Sequence, residues 1–268
     1  MPELPEVETI RRQLLPLCRD QVIDAVTVKT PYLIKNCTAA VFCDALQGRR
    51  VRHLDRIGKY LIWECEGAYP VFHLGMTGIF LQDRRESRYP QHIHVEIGFE
   101  SGQTLYFQDM RKFGKIWLYP SYPEIPTLGT DPITGRITPA QLLSWLQRRK
   151  TTLKQFLMNQ TPIAGIGNIY ASEILIESSL SPYRKTDEVT AAEAQRLQRA
   201  IGRILNDAIE RFGTTYSAYR TVNGQSGENQ NFLKVYQREG QPCVSCGEAI
   251  IKTVMGSRST FYCPRCQK

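Results

Sequence analysis

Long apolar runs are missing from this 268-residue chain. A membrane-spanning helix needs roughly 18 consecutive apolar residues, and no run approaches that length. The N-terminus also lacks the basic segment and apolar core of a secretory signal, because Glu3, Glu6 and Glu8 lie at its start. Internal repeats are absent as well. These absences predict a soluble, cytoplasmic protein that has no signal peptide and does not bind membranes.

Acidic residues are in deficit. The chain holds 34 Lys and Arg against 26 Asp and Glu, which gives a formal net charge of +8. By itself such an excess favours a polyanionic partner, either nucleic acid or an acidic membrane, and a solvated basic surface produces the same count. Of the two partners we expect nucleic acid and no membrane. A hydrophobic content of 42% is enough to give two domains a core each.

Apolar periodicity divides the chain into a β-rich first part and a helical second part. Helical spacing predicts a helix over residues 2–17, and short β-type runs from about 22 to 118 predict a β-sandwich or flattened barrel. Residues 120–135 are then rich in proline and glycine. We therefore expect an N-terminal domain over 1–119, a linker over 120–137, a helical domain over 138–235 and a zinc ribbon over 236–268.

Two cap signals mark helix starts in the second part. Thr138 precedes Pro139, and Thr190 with Glu193 forms a capping box. The second helix is predicted to reach Phe212, with one apolar face formed by Leu197, Ile201, Ile204, Ala208 and Phe212. The polar residues 214–235 then predict a long mobile loop.

Four of the eight cysteines have metal-ligand spacing. Cys243 and Cys246 form one C-x2-C pair, Cys263 and Cys266 form another, and 16 residues separate the pairs. Each pair can place two thiolates on one face of a tetrahedral ion, so one structural Zn²⁺ is predicted. The alternatives are reduced cysteines without metal or two disulfides. The other four cysteines are scattered, which suits a reducing compartment.

Five further sequence blocks occur along the chain. They are Met1-Pro2-Glu3-Leu4-Pro5-Glu6-Val7-Glu8-Thr9, Gly58-Lys59-Tyr60, His73-Leu74-Gly75-Met76-Thr77-Gly78, Asp109-Met110-Arg111-Lys112-Phe113-Gly114 and Gly165-Ile166-Gly167-Asn168-Ile169-Tyr170-Ala171-Ser172-Glu173. With the cysteine pattern, they resemble the formamidopyrimidine-DNA glycosylase family over the whole chain. The resemblance implies an α+β multidomain fold. Its parts are an N-terminal helix and β-sandwich, a helix-two-turn-helix domain and a zinc ribbon.

The resemblance also implies an activity. The family removes oxidised purines such as 8-oxoguanine and formamidopyrimidines from double-stranded DNA, acting as a bifunctional glycosylase and AP lyase, and we expect a monomer. After loss of Met1, the Pro2 amine would attack the sugar C1′ and form an iminium ion that favours β- and δ-elimination. Glu3 would serve as general acid, and Glu6 would order the N-terminus.

The remaining roles are carried over residue by residue. Lys59 matches the lysine of the first elimination and Arg258 the arginine of the second. Met76, Arg111 and Phe113 match the side chains that fill the gap left by the flipped base, with Arg111 on the unpaired cytosine. His73, His92, Arg149 and Asn168 match other DNA contacts. Without the resemblance, core packing would explain Met76 and Phe113, and ordinary surface charge the basic residues.

Other readings stay open at this point. His92 and His94 are predicted on the polar face of a strand, where a metal site would lack further ligands. The endonuclease VIII branch acts on oxidised pyrimidines and shares the Pro-Glu start, but it typically has glycine where this chain has Leu4 and lacks the Arg111–Phe113 block. A non-catalytic zinc-ribbon DNA-binding protein needs none of Pro2, Glu3 and Lys59. Lys112 stands where the family often has a second arginine, which weakens a bidentate phosphate contact but keeps a cation. The sequence of the 214–235 loop and Gln237 also depart from the family pattern, and these departures leave the fine lesion preference open.

Overall fold

The computed structural model describes residues 1–125, 127–216 and 219–268. The chain forms two compact units. Unit 1 comprises Met1–Ile125 and Arg211–Gln230, and unit 2 comprises Pro126–Glu210 and Asn231–Lys268. Both helices and sheets are present, as the predicted α+β class requires. None of the helices in the described ranges is long and apolar enough to cross a membrane.

Unit 1 contains two four-stranded antiparallel sheets. One has the order β1-β6-β7-β5 and the other β2-β3-β4-β8. The strands are β1 (Ile23–Val28), β2 (Val51–Ile57), β3 (Tyr60–Cys65), β4 (Tyr69–His73), β5 (Gly78–Leu81), β6 (Ile93–Phe99), β7 (Thr104–Asp109) and β8 (Lys115–Tyr119). Trp63 and Phe72 of one sheet contact Phe80 of the other, with ring centroids 5.2 to 6.0 Å apart. The predicted β-sandwich is confirmed.

Helix α1 (Leu4–Cys18) covers this core with a buried face that includes Val7, Ile10 and Leu14. Its start is fixed locally, because the Glu3 N–H donates to Glu6 Oε2 at 2.7 Å and Pro5 occupies the first turn. The predicted N-terminal helix is therefore confirmed. A second short helix of unit 1, α2 (Ala39–Leu46), packs against β1.

Unit 2 begins with helices. They are α3 (Pro139–Gln147), α4 (Leu153–Met158), α5 (Asn168–Glu177) and α6 (Ala191–Glu210). The Thr138 and Thr190 hydroxyls each accept the N–H three residues on, from Gln141 at 3.2 Å and Glu193 at 3.3 Å. Both predicted cap positions are confirmed.

The predicted apolar face of α6 is correct only in part. Leu197, Ile201 and Ala208 are buried, whereas Ile204 is half-buried. The assignment of Phe212 to this face was wrong, because α6 ends at Glu210. Phe212 lies outside the helix with a φ of +57°, and its side chain is 49% exposed.

The C-terminal part of unit 2 is a two-stranded ribbon. Its strands are β9 (Ile251–Met255) and β10 (Arg258–Tyr262), and Arg258 pairs with Met255. A small core of Ile176, Val235, Ile250 and Phe261 surrounds the buried cysteines.

The segment 214–235 was predicted as a loop attached to the helical domain. Its described residues contain one 3-10 turn, Asn229–Phe232, and its part up to Gln230 groups with unit 1. Ser217 and Ala218 of this loop lie outside the described residues. The loop's mobility and the domain limits drawn from the sequence stay predictions.

Candidate active site and zinc centre

The N-terminus is packed into unit 1. Pro2 is buried, and Glu3 and Glu6 are only 3% and 1% exposed. Glu6 uses both oxygens to hold backbone, since Oε2 accepts the Glu3 N–H and Oε1 accepts the Thr214 N–H at 2.8 Å. The Glu6 carboxylate thus joins the start of α1 to the segment that follows α6. With Met1 attached, the Pro2 nitrogen is an amide.

A cavity of about 440 Å³ opens in unit 1 next to this terminus. It brings together Met1 and three of the predicted site residues, His73, Met76 and Phe113. The other lining residues are Lys35, Tyr60, Gly75, Lys112, Gly114, Lys115 and Trp117. Cations beside aromatic rings are the combination that binds phosphates and stacks bases, so the lining suits nucleic acid.

His73 is held in one protonation state. Burial lowers its pKa to about 4, and the charges of Lys59 and Lys115 add to the effect. Its Nδ1 accepts the Gly75 N–H at 3.2 Å. At neutral pH the ring is therefore neutral and carries its proton on Nε2, from which it can donate a hydrogen bond.

Two turns that carry predicted site residues are tied together by Asp109, which is fully buried. The Asp109 carboxylate accepts the Thr77 hydroxyl, the Gly114 N–H at 2.7 Å and the Arg111 N–H at 3.2 Å. The turns also touch directly, because a Cβ on Gly75 would lie 2.5 Å from the carbonyl carbon of Phe113. Sequence reasoning assigned no role to Asp109, although it opens one of the motif blocks.

The two tip residues of the second turn face solvent. Phe113 is 51% exposed, and the Arg111 guanidinium lies 4.7 Å from its ring centroid. Met76, on the other turn, is half-buried. Core packing therefore does not explain Phe113. An exposed aromatic ring with a stacked guanidinium is instead a surface suited to contacting bases.

His92 and His94 do not share a polar face. His94 is buried, with Nδ1 2.8 Å from the Thr30 hydroxyl and Nε2 2.9 Å from the Asp109 carbonyl oxygen. The polar-face prediction was wrong for His94, because a β-bulge between Ile93 and Val95 turns its side chain inward. His92 ends a 3-10 turn, and its buried Nδ1 has no hydrogen-bond partner among the described residues.

Lys59 and the predicted basic contacts of unit 2 have different surroundings. Lys59 is only 7% exposed, in the turn between β2 and β3. Arg149 is half-buried and donates from Nη1 to the Trp145 carbonyl at 3.0 Å. Arg258 is exposed at the start of β10. These three predicted basic contacts therefore range from buried Lys59 to exposed Arg258, a difference that their positive charge alone does not predict.

Asn168 begins α5 and links it to the ribbon. Its Nδ2 donates to the Ser259 carbonyl at 2.9 Å, while its buried Oδ1 has no hydrogen-bond partner in the described ranges. A second link, which sequence reasoning missed, is the buried Glu173. Its carboxylate accepts three backbone N–H groups at 2.8 to 3.0 Å, from residues 234, 235 and 236. Burial raises the pKa of Glu173, and these donors oppose the rise.

The four ribbon cysteines converge, with all four Sγ atoms within 4.8 Å of one another. The Sγ atoms of Cys243 and Cys266 are 3.9 Å apart, and those of Cys246 and Cys263 are 3.5 Å apart. A tetrahedral zinc with Zn–S bonds of about 2.3 Å needs sulfur separations of roughly 3.8 Å. All four cysteines are free, so the disulfide alternative was wrong, and the thiol set fits one structural zinc.

Comparisons with known proteins agree with this geometry. Three family profiles match: the formamidopyrimidine-DNA glycosylase N-terminal domain over residues 1–116, the H2TH domain of the same enzyme over 128–220, and the zinc finger found in FPG and IleRS over 240–268. The formamidopyrimidine-DNA glycosylase of Pelotomaculum thermopropionicum is 40% identical, with 100% of this chain and 99% of the relative covered.

Solved structures are similar over the same length. The MutM (FPG) protein of Thermus thermophilus matches with a TM-score of 0.89 and 38% identity, over 99% of this chain and 98% of that one. A Lactococcus lactis FPG mutant in complex with DNA containing Fapy-dG matches with a TM-score of 0.92 and 30% identity, over 100% of both chains. The chain belongs to the formamidopyrimidine-DNA glycosylase family.

Proposed function

We propose that the chain is a base excision repair enzyme that removes 8-oxoguanine and formamidopyrimidines from double-stranded DNA and then cleaves the strand as an AP lyase. The observation that carries this proposal is whole-length similarity to named formamidopyrimidine-DNA glycosylases, including one bound to DNA with Fapy-dG. The enzyme acts as a monomer and works in the cytoplasm, on the DNA there.

Pro2 is the nucleophile in this proposal. Once Met1 is removed, its secondary amine attacks C1′ of the damaged nucleotide, and the bond from C1′ to the base breaks. The resulting iminium has no N–H proton to lose, so it remains an electron sink for elimination of the neighbouring phosphates. Pro2 is buried and precedes the first turn of α1, so the helix start holds the amine in place.

Other side chains move protons or bind phosphates. Glu3 is next to Pro2 and almost fully buried, a position that suits a general acid at the sugar ring oxygen. Glu6 orders the terminus through its two backbone hydrogen bonds. Lys59 serves the first elimination and Arg258 the second, and each also binds a phosphate.

DNA recognition is divided between base and backbone contacts. Met76, Arg111 and Phe113 occupy the space of the extruded nucleotide, with the Arg111 guanidinium donating to the unpaired cytosine. The exposure of Phe113 and the cation stacked on it support this role.

His73, His92, Arg149 and Asn168 contact the backbone, and His73 does so as a neutral donor. Zinc, when bound to the four thiolates, holds the ribbon that presents Arg258.

A panel of duplexes tests the substrate class. Mature protein is incubated with duplexes containing 8-oxoguanine, a formamidopyrimidine or thymine glycol, and strand cleavage is followed on a gel. We expect cleavage of the first two at much lower enzyme concentration than the third. A preference for thymine glycol would indicate an endonuclease VIII-type enzyme instead. Binding of all three duplexes without base release would indicate a non-catalytic DNA-binding protein.

A further inference from the structure

A buried ion pair joins α1 to β2 in unit 1. Arg56 Nε lies 3.1 Å from Glu8 Oε2, and the two side chains are only 1% and 7% exposed. Glu8 lies on the helix whose start is capped by Glu3, and Arg56 is the penultimate residue of β2. Neither residue has a role in the proposed chemistry.

The Arg56 guanidinium also reaches the turn that follows β2. Its Nη1 donates to the Gly58 carbonyl at 3.0 Å. Ile57 pairs with Tyr60, so Gly58 and Lys59 form a two-residue hairpin loop, and the Gly58 φ of +57° is typical of a type II′ turn. Because the Gly58 carbonyl belongs to the peptide unit that ends on Lys59, this hydrogen bond fixes the orientation of the backbone at Lys59.

The charge state of the pair is also fixed. Burial alone would raise the pKa of Glu8, but hydrogen bonds from Arg11 and Arg12 and the charges of Arg11 and Arg56 outweigh it and lower the pKa to about 2. Glu8 is therefore ionised at neutral pH. Buried ion pairs add little net stability compared with apolar side chains of the same volume, so stability alone is a weak reason for this one.

We propose that Glu8 and Arg56 are positioning residues that hold Lys59 in a fixed place relative to α1, and hence to Pro2 and Glu3. The inference rests on the role proposed for Lys59. Only a planar, multi-donor cation can bond the carboxylate and the carbonyl in two fixed directions at once, and a lysine ammonium in its place lacks that geometry. We call the two Arg56 contacts, to the Glu8 carboxylate and to the Gly58 carbonyl, the tether. The tether acts through Lys59 and does not itself touch the DNA.

A double-mutant cycle tests the tether. Arg56→Lys and Lys59→Ala are made singly and together, and kcat and KM for cleavage at a preformed abasic site are measured with the mature enzyme. A displacement of about 1 Å can reduce a rate about 100-fold, so we expect Arg56→Lys to lower kcat by about 10- to 100-fold with a smaller change in KM. In the Lys59→Ala background the same substitution should lower kcat by less than about twofold.

Arg11→Lys is the matched control. Arg11 also bonds Glu8 and reaches β2 through the Leu54 carbonyl at 3.1 Å, but within the described residues no hydrogen bond joins it to the Lys59 turn. Its kcat should stay within about twofold of the parent. The variant Glu8→Gln/Arg56→Met removes the tether without leaving the Arg56 guanidinium buried and unpaired. At a temperature where a thermal melt shows the variant to be fully folded, its kcat should fall as for Arg56→Lys.

Three outcomes would overturn the inference. An equal loss of kcat from Arg56→Lys in the parent and in the Lys59→Ala background would show that Arg56 acts independently of Lys59, while leaving the proposed function intact. A parent-like kcat for Glu8→Gln/Arg56→Met would show that the turn needs no tether. An unchanged kcat for Lys59→Ala would remove the proposed role of Lys59 and the tether with it.

Discussion

Glu8 should give unit 1 a stability that depends on acid pH. Its pKa is lowered from 4.5 to about 2 by its arginine partners, in spite of burial. A carboxyl whose pKa is lower in the folded state stabilises the protein above the unfolded pKa and loses that contribution as pH falls. A lowering of this size corresponds to about 3 kcal/mol at neutral pH, about 2 kcal/mol near pH 3.5 and less than about 1 kcal/mol near pH 2.5.

Glu8→Gln removes this titration while keeping the side-chain volume. Urea unfolding of the parent and the variant would be followed by tryptophan emission, because Trp63 is fully buried in the unit 1 core. The difference in unfolding free energy should shrink by about 2.5 kcal/mol between about pH 7 and about pH 2.5. The exposed Glu100→Gln is the control and should show a small, constant difference. A Glu8→Gln difference that stays constant or grows on acidification would refute the assigned ion pairs.

Four further substitutions test the site. Cys246→Ser should lower the zinc content of the purified protein and weaken DNA binding, measured by metal analysis and gel shift, since zinc ligation supplies folding energy to such ribbons. Asp109→Asn should lower the free energy of unfolding by about 1 to 3 kcal/mol, because one oxygen acceptor of its three hydrogen bonds becomes a donor. Arg111→Ala should reduce the preference for cytosine opposite the lesion, and an unchanged preference would rule out that base contact. Arg149→Ala should lower the affinity for all duplexes and make the slope of log affinity against log salt concentration shallower by about one phosphate contact. An unchanged slope would rule out the Arg149 contact.

Local signals were sufficient for much of the fold. The Thr138 and Thr190 hydroxyls cap their helices by accepting the N–H of the residue three positions on. Because donor and acceptor are close in sequence, these helix starts could be predicted from the sequence alone. The ribbon was predictable for the same reason, because the C-x2-C spacing places the thiolates of Cys243 and Cys246 on one side of the same metal ion. The prediction that α6 extends to Phe212 failed because apolar periodicity does not show where a helix ends.

Contacts distant in sequence were not predictable from the pattern. His94 is turned inward by a bulge whose register depends on β7, and nothing local marks it. Asp109, Glu173 and Arg56 were missed because each has at least one partner on a distant segment, and a charged residue is ordinarily expected at the surface. A carboxylate that accepts three backbone N–H groups, as Glu173 does, is visible only once the chain is folded.

The most direct test concerns the Pro2 amine. Mature protein lacking Met1 is incubated with an 8-oxoguanine duplex and borohydride, which reduces an iminium to a stable amine. We expect a covalent protein–DNA complex whose DNA remnant maps to Pro2 by peptide analysis. Protein that retains Met1 or carries an N-terminal tag is the matched control and should form none, because its Pro2 nitrogen is an amide. Efficient trapping by the blocked protein, or an adduct that maps to Lys59, would contradict Pro2 as the nucleophile.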